Sequence, residues 1–251
     1  MTYQIKNHEI KIWGFEWDIH QLSEERMDLI KNALDEGRTS LSEYESKQLL
    51  SAYKIPVTRE VLIGNRERLI EAIEEIGYPI VLKGCSPDIA HKTEKGLIHV
   101  DIRNEDEALT AFKEIVAGMN GTENPVLVQE MVRGKRELVA GLTRDPQFGP
   151  CVMFGLGGIF TEILKDISFR VAPLEKYDAL EMMQEIRGRK ILDAVRGMET
   201  VDLDMLADIL ITIGKIGMEN ERIKEIDINP LIISNGKPVA VDALVVLLDQ
   251  E

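Results

Sequence analysis

The sequence predicts an α+β fold. Between residues 42 and 118, short apolar runs of strand character alternate with stretches of helical periodicity, whereas from Val126 onward strand-like runs succeed one another without a helix between each pair. Near the C-terminus, Asn235-Gly236 stands between two apolar runs, the strongest short hairpin signal in the chain.

In chain order, Met27, Ile30 and Leu34 share a helical face between Ser23 and a terminating Gly37. Ile10, Ile12, Trp13, Phe15 and Trp17 precede it, so residues 1–40 read as an extension that covers the main body or a partner subunit. Ser42 and Glu45 have capping-box spacing ahead of a helix with Leu49, Leu50 and Tyr53 as its apolar stripe and Pro56 after its end. Val57 to Ile63 reads as a strand, Asn65 to Ile76 as a helix, Ile80 to Lys83 and Leu97 to Ile102 as strands. In the last of these, alternation sets Ile98, Val100 and Ile102 on one face and a solvated His99 beside Asp101 on the other. Asn104 to Gly118 is a helix, and the breaker-rich Gly118 to Pro125 is the expected boundary between a lobe over 41–125 and a second over 126–251. Strand runs at Val126–Val132, Glu137–Leu142 and Cys151–Phe154 follow, then helices over Glu175–Ile186 and Asp202–Met218, then two closing strands.

Composition narrows the function classes. With 30 Lys and Arg against 44 Asp and Glu, the net charge of −14 excludes a general nucleic-acid or anionic-membrane binder, so a bound nucleotide has to be held by local positive groups and metal. Cys85 and Cys151 are far apart, which suggests neither a zinc site nor a disulfide framework and points to a reducing cytoplasm. The first twenty residues carry Glu9, Glu16 and Asp18 where a signal peptide needs an apolar core, and no apolar run approaches a membrane span.

Three segments carry chemistry. The first, Ser86 to Gly96, follows a strand ending in Lys83 and places His91 in a polar, turn-rich loop. Imidazole is nucleophilic near neutral pH, so His91 is a candidate phosphoryl carrier; the other reading is a solvated histidine on a surface turn shaped by Pro87, Asp88 and Gly96. In the second, Glu225, Asp227 and Asn229 alternate with core-facing Ile226 and Ile228. A two-residue turn at Asn235-Gly236 pairs Ser234 with Lys237, and counting back sets Asn229 opposite Asp242, an amide oxygen beside a carboxylate suited to Mg²⁺. A bulge at Pro230 or Pro238 breaks that count, and a merely wet face also explains the acidic alternation. In the third, Gly155, Gly157 and Gly158 can bring backbone N–H groups to a phosphate or a partner loop, with Lys165 and Arg170 downstream as cations or simply as surface residues.

In this order, VLKGCSPDIAHKTEKG (81–96), LVQEMVRGKRELVAGLTRDPQFGP (127–150), VMFGLGGIFTEILKDISFRVAPL (152–174) and EIDINPLII (225–233) resemble the ATP-grasp β subunits of ADP-forming acyl-CoA synthetases, in the succinyl-CoA synthetase superfamily. The resemblance covers about Ser42 to Leu248. It implies two α+β lobes with ATP or ADP bound between them, a phosphohistidine loop in the first and a metal and phosphate site in the second. It makes His91 the phosphohistidine, Lys83 a ligand of the nucleotide phosphates, and Gln129, Glu130, Met131 and Val132 the hinge whose backbone reads adenine. Glu137 becomes a further nucleotide contact, Glu162 and Arg170 phosphate-site residues, and Asn229 and Asp242 the Mg²⁺ ligands. One departure is Leu97, where relatives often have a second glycine. The implied reaction is acyl-CoA + ADP + phosphate giving acid + ATP + CoA. The sequence has no loop for CoA, which implies a CoA-binding α subunit as partner in an α₂β₂ heterotetramer. Competing readings are an ATP-grasp carboxylate–amine ligase, which needs no His91, and a nucleotide-binding subunit without turnover.

Overall fold

A computed structural model describes residues 9–12, 15–18, 28–86, 96–119, 125–158, 166–194, 197 and 199–249. Its strands form three sheets. β1 (Glu9–Ile12) and β2 (Phe15–Asp18) make a separate antiparallel pair. A four-stranded sheet has the order β3-β6-β4-β5, from β3 (Glu60–Ile63), β4 (Ile80–Gly84), β5 (Ile98–Ile102) and β6 (Val126–Glu130). The six-stranded sheet holds β7 (Arg136–Asp145), β8 (Gly149–Leu156), β9 (Ile167–Val171), β10 (Ile223–Ser234), β11 (Lys237–Ala240) and β12 (Ala243–Leu247). Every pairing between these strands is antiparallel, as expected where successive strands return directly on one another.

Helix α1 spans 28–35 and ends at Gly37, whose φ of 72° is the left-handed conformation that glycine adopts without strain. Helix α2 (Glu43–Ala52) starts in the expected capping box: the Ser42 hydroxyl accepts from the Glu45 N–H and the Glu45 carboxylate takes the Ser42 N–H. Both helices bury Ile30, Ala33, Leu49 and Leu50 in the core of the six-stranded sheet, with α5 (Lys176–Glu185) and α6 (Leu203–Glu219). The chain on either side of α2 runs along that sheet, where Ser40 bridges Val246 and Val57 bridges Ala240. On the other core, α3 (Arg66–Ile76) and α4 (Glu105–Gly118) cover Ile63, Ile80, Leu82, Val126 and Val128 of the four-stranded sheet.

Three expectations are corrected by this arrangement. The break at 125–126 does not divide the lobes, because β6 is an interior strand of the four-stranded sheet and Gly118 to Pro125 only joins α4 to it. Residues 41–58 likewise belong to the larger core. The strand expected over 57–63 is split, since the chain crosses from one sheet to the other between Val57 and Glu60. The simple alternation in β5 fails at Asp101, whose φ of 57° coincides with a register shift against β4. Val100 is therefore 64% exposed, while His99 lies 3.4 Å from the Glu114 carboxylate of α4.

Candidate functional site between the sheets

Strand alternation places the central lysine. In β4, Ile80 and Leu82 pack under the helices, so Val81 and Lys83 emerge on the opposite face beside Gln129 and Leu127 of β6. That face is closed by α2 and the C-terminal strands, which makes all five residues of β4 buried. Lys83 Nζ donates to Glu43 Oε1 of α2 at 2.6 Å and to the Val241 carbonyl at 3.2 Å, and lies 3.7 Å from Asp242 Oδ2. Burial works against its charge, but the Asp242 and Glu43 carboxylates outweigh it and hold Lys83 above the ordinary lysine value.

The hairpin supplies the acidic side. Ser234 pairs with Lys237 and Ile228 with Ala243, and the Asn229 N–H donates to the Asp242 carbonyl at 3.2 Å, which is the register counted from the sequence. An extra residue is present near Pro230, but it bulges against β7, leaving the pairing with β11 and β12 in step. β11 and β12 lie one after the other along the same edge of β10, and the interruption between them is Val241-Asp242. This break turns the Val241 carbonyl and the Asp242 carboxylate toward Lys83. Asp227 is pushed up to about 6 by burial and by the Glu225 and Asp242 charges. Mutually repelling carboxylates beside an amide oxygen fit a divalent cation, which relieves that repulsion. Among the described residues, no group of three or more His, Cys, Asp or Glu side chains is placed to hold a metal ion by itself.

A second buried lysine joins the two sheets. Lys47 Nζ donates to Glu43 Oε1 at 2.9 Å, Gln129 Oε1 at 2.8 Å, Val241 O at 3.3 Å and Thr58 Oγ1 at 3.4 Å, and pairs with Glu60. Burial, with Glu43 adding to it, raises the Glu60 carboxyl even though Lys47 opposes the shift. Gln129 turns its oxygen to Lys47 and leaves its buried Nε2 without a partner among the described residues, so the ammonium's need for acceptors decides the amide orientation. Sequence reading missed Glu43, Lys47, Thr58 and Glu60. The available signal was an i,i+4 Glu–Lys pair set among Ser46, Leu49 and Leu50, on the face of α2 that becomes buried.

The remaining candidates divide. His91 and Glu162, with Lys165, lie outside the described residues. Glu130 and Met131 use their N–H groups on the Arg59 and Pro79 carbonyls, and the Glu130 carboxylate holds Arg59, so a base read at 129–132 has to meet the other backbone groups there. Glu137 shares a sheet face with Asp227 and lies against the glycine loop: the Gly157 N–H donates to the Glu137 carbonyl at 2.8 Å. Arg170 is not brought to this face. It pairs with Val152 on the side covered by α5, and its guanidinium forks onto Glu185 and Glu181. Leu97 is a core residue, 2% exposed and packed with Ile115 and Met119 of the α4 end, which anchors the chain where it returns from the histidine segment.

Residues 32–247 match the ATP-grasp domain family. The chain is 44% identical over 225 residues to the subunit beta of acetate–CoA ligase [ADP-forming] I from Pyrococcus furiosus, covering 88% of this chain and 97% of that one. It superposes with a TM-score of 0.85 and 45% identity on the dinucleotide-forming acetyl-coenzyme A synthetase 1 of Ca. Korarchaeum cryptofilum in complex with coenzyme A, Ca-AMPCP and HgCl⁺, covering 88% of this chain and 99% of that one. A second structure of that enzyme holds coenzyme A and Mg-AMPPCP with its phosphohistidine segment pointing towards the nucleotide binding site; its TM-score is 0.79 at 45% identity, over 89% of this chain and all of that one. With a lysine from one sheet set against the acidic hairpin of the other, and with these matches over nearly the full length of the two proteins compared, the chain belongs to the ATP-grasp family of β subunits of ADP-forming acetate–CoA ligases.

Proposed function

We propose that this chain is the nucleotide-binding subunit of an ADP-forming acid–CoA ligase in which His91 carries a phosphoryl group from a CoA-binding α subunit to ADP. The net reaction is acyl-CoA + ADP + phosphate giving acid + ATP + CoA, run in either direction. The observation that carries the reading is the meeting of Lys83 with Asp242 across the boundary between the sheets. Lys83 orients the nucleotide phosphates and opposes their charge, and Asn229 and Asp242 hold Mg²⁺. Mg²⁺ held there would supply positive charge against the phosphates. In the transfer itself the N–P bond of the phosphoimidazole breaks as a terminal ADP oxygen forms the new P–O bond, and the imidazole is restored. A carrier on a loop keeps each transfer short-range while the two centres stay in different polypeptides. The base lies along 129–132, Glu137 contacts the nucleotide, and Glu162 serves the phosphate site. Arg170 reaches a phosphate only by leaving Glu181 and Glu185, which makes it the weakest member of the set. The assembly is read as α₂β₂, and a reducing cytoplasm suits Cys85 and Cys151, which are not joined in a disulfide.

The test uses the chain assembled with its partner subunit, Mg²⁺ and γ-labelled ATP. Acid-labile, alkali-stable label on the wild type and none on His91→Ala is the expected result, with loss of ATP formation from acyl-CoA, ADP and phosphate. Label that survives the substitution, or full activity without His91, rejects the relay and favours a direct carboxylate-activating ligase.

A further inference from the structure

We infer that Lys47 is a positioning residue for Lys83, acting through the Glu43 oxygen that the two lysines share. The inference rests on the proposed nucleotide site and goes beyond it, since Lys47 belongs to neither the hairpin nor the β4 strand that define that site.

Glu43 Oε1 accepts from Lys83 at 2.6 Å and from Lys47 at 2.9 Å, and both ammonium groups also donate to the single carbonyl of Val241, at 3.2 and 3.3 Å. The two lysines are thus bridged twice. Glu43 reaches them from α2, in the core of the larger sheet, while Lys83 and Gln129 come from the smaller one, so the network spans both bodies that enclose the nucleotide. Three carboxylates, Glu43, Glu60 and Asp242, surround two ammonium groups. A lysine that must grip phosphate needs a partner to aim it, but a carboxylate left wholly to itself in a buried place binds the ammonium too well and repels the anion. By donating to the same oxygen, Lys47 divides the charge of Glu43. Lys83 is then aligned without being neutralised.

The effect should fall on nucleotide affinity and leave the rate of transfer nearly intact, because Lys47 acts on Lys83 through Glu43 and does not touch the reacting atoms. Mg-ADP binding to the full chain, by calorimetry, and steady-state kinetics of the assembled enzyme test this. Lys47→Met is expected to weaken Mg-ADP binding and raise its KM by about tenfold or more with kcat changed by less than about threefold, and Lys47→Arg to recover most of the loss. Since the damage runs through Glu43, the double variant with Glu43→Gln and Lys47→Met should bind Mg-ADP within about threefold of Glu43→Gln alone. That comparison also serves if Lys47→Met does not fold. A double variant about tenfold weaker than Glu43→Gln, or a folded Lys47→Met with native affinity, overturns the inference while leaving the nucleotide site intact. A wild-type chain that takes up no Mg-ADP overturns the site itself, and this inference with it.

Discussion

Removing the Lys83 ammonium tests the site most directly, because the structure predicts a size for each of its two consequences, in stability and in nucleotide affinity. Breaking a buried ion pair commonly costs about 3–5 kcal/mol, chiefly from the carboxylate left behind. In Lys83→Met that penalty is reduced. Glu43 keeps Lys47 on the same oxygen at 2.9 Å, and Asp242 is 32% exposed and passes its charge to water. Methionine fills most of the volume of the lysine stem, so the stability loss should be about 1–2 kcal/mol, or about 3–6 °C in Tm for a chain of this size. The nucleotide loses a charge-assisted hydrogen bond to phosphate worth about 1.5–3 kcal/mol, which is a weakening of about 10- to 150-fold. Titration calorimetry with Mg-ADP and thermal unfolding of the same preparation measure both. An affinity unchanged within about threefold refutes the assignment of Lys83 to the phosphates, whereas a Tm drop beyond about 15 °C shows that the lysine is primarily structural.

A Cβ on Gly157 falls 2.8 Å from backbone atoms of Glu137 and Leu138, so Gly157→Ala has to open the contact between the glycine loop and β7; a raised KM for nucleotide with largely retained Tm is expected, and unchanged kinetics dissociate the loop from binding. Leu97→Ala removes a 2%-exposed core side chain, with an expected loss of about 2–4 kcal/mol in denaturant unfolding; a loss under about 1 kcal/mol contradicts its anchoring role. Burial raises the Glu45 carboxyl, but the Arg38 fork at 2.8 and 3.0 Å and the Ser42 donors prevail and hold it below the ordinary glutamate value. A depressed folded value stabilises above the unfolded value, and this contribution disappears as pH falls through the folded one. The stability difference between wild type and Glu45→Gln should therefore be flat above about pH 5 and shrink below about pH 4, and a difference that grows in acid reverses the sign.

Local rules were legible wherever neighbours in sequence decide the outcome. Ser42 and Glu45 cap α2, Asn65 and Asp202 cap α3 and α6, and Gly37 ends α1, because caps satisfy backbone groups within a few residues. The hairpin count from Asn235-Gly236 to Asn229 and Asp242 succeeded because antiparallel pairing propagates residue by residue and the bulge fell on the β7 side. Reading β5 failed at a single positive φ, for which Asp101 gave no warning in its pattern.

The sequence by itself determined the α+β class, the helices and their caps, the hairpin register and the order of segments that marks the family, since all of these follow from short-range periodicity and turn chemistry. Only the tertiary structure decided that β6 joins the smaller sheet, that α2 belongs to the larger core, that Arg170 faces α5, and that Glu43 and Lys47 meet Lys83. Those outcomes depend on which surfaces of distant segments are buried against one another. A charged pair on a helix looks solvated in sequence until a second sheet closes over it and the loss of water forces every ammonium and carboxylate to find a partner.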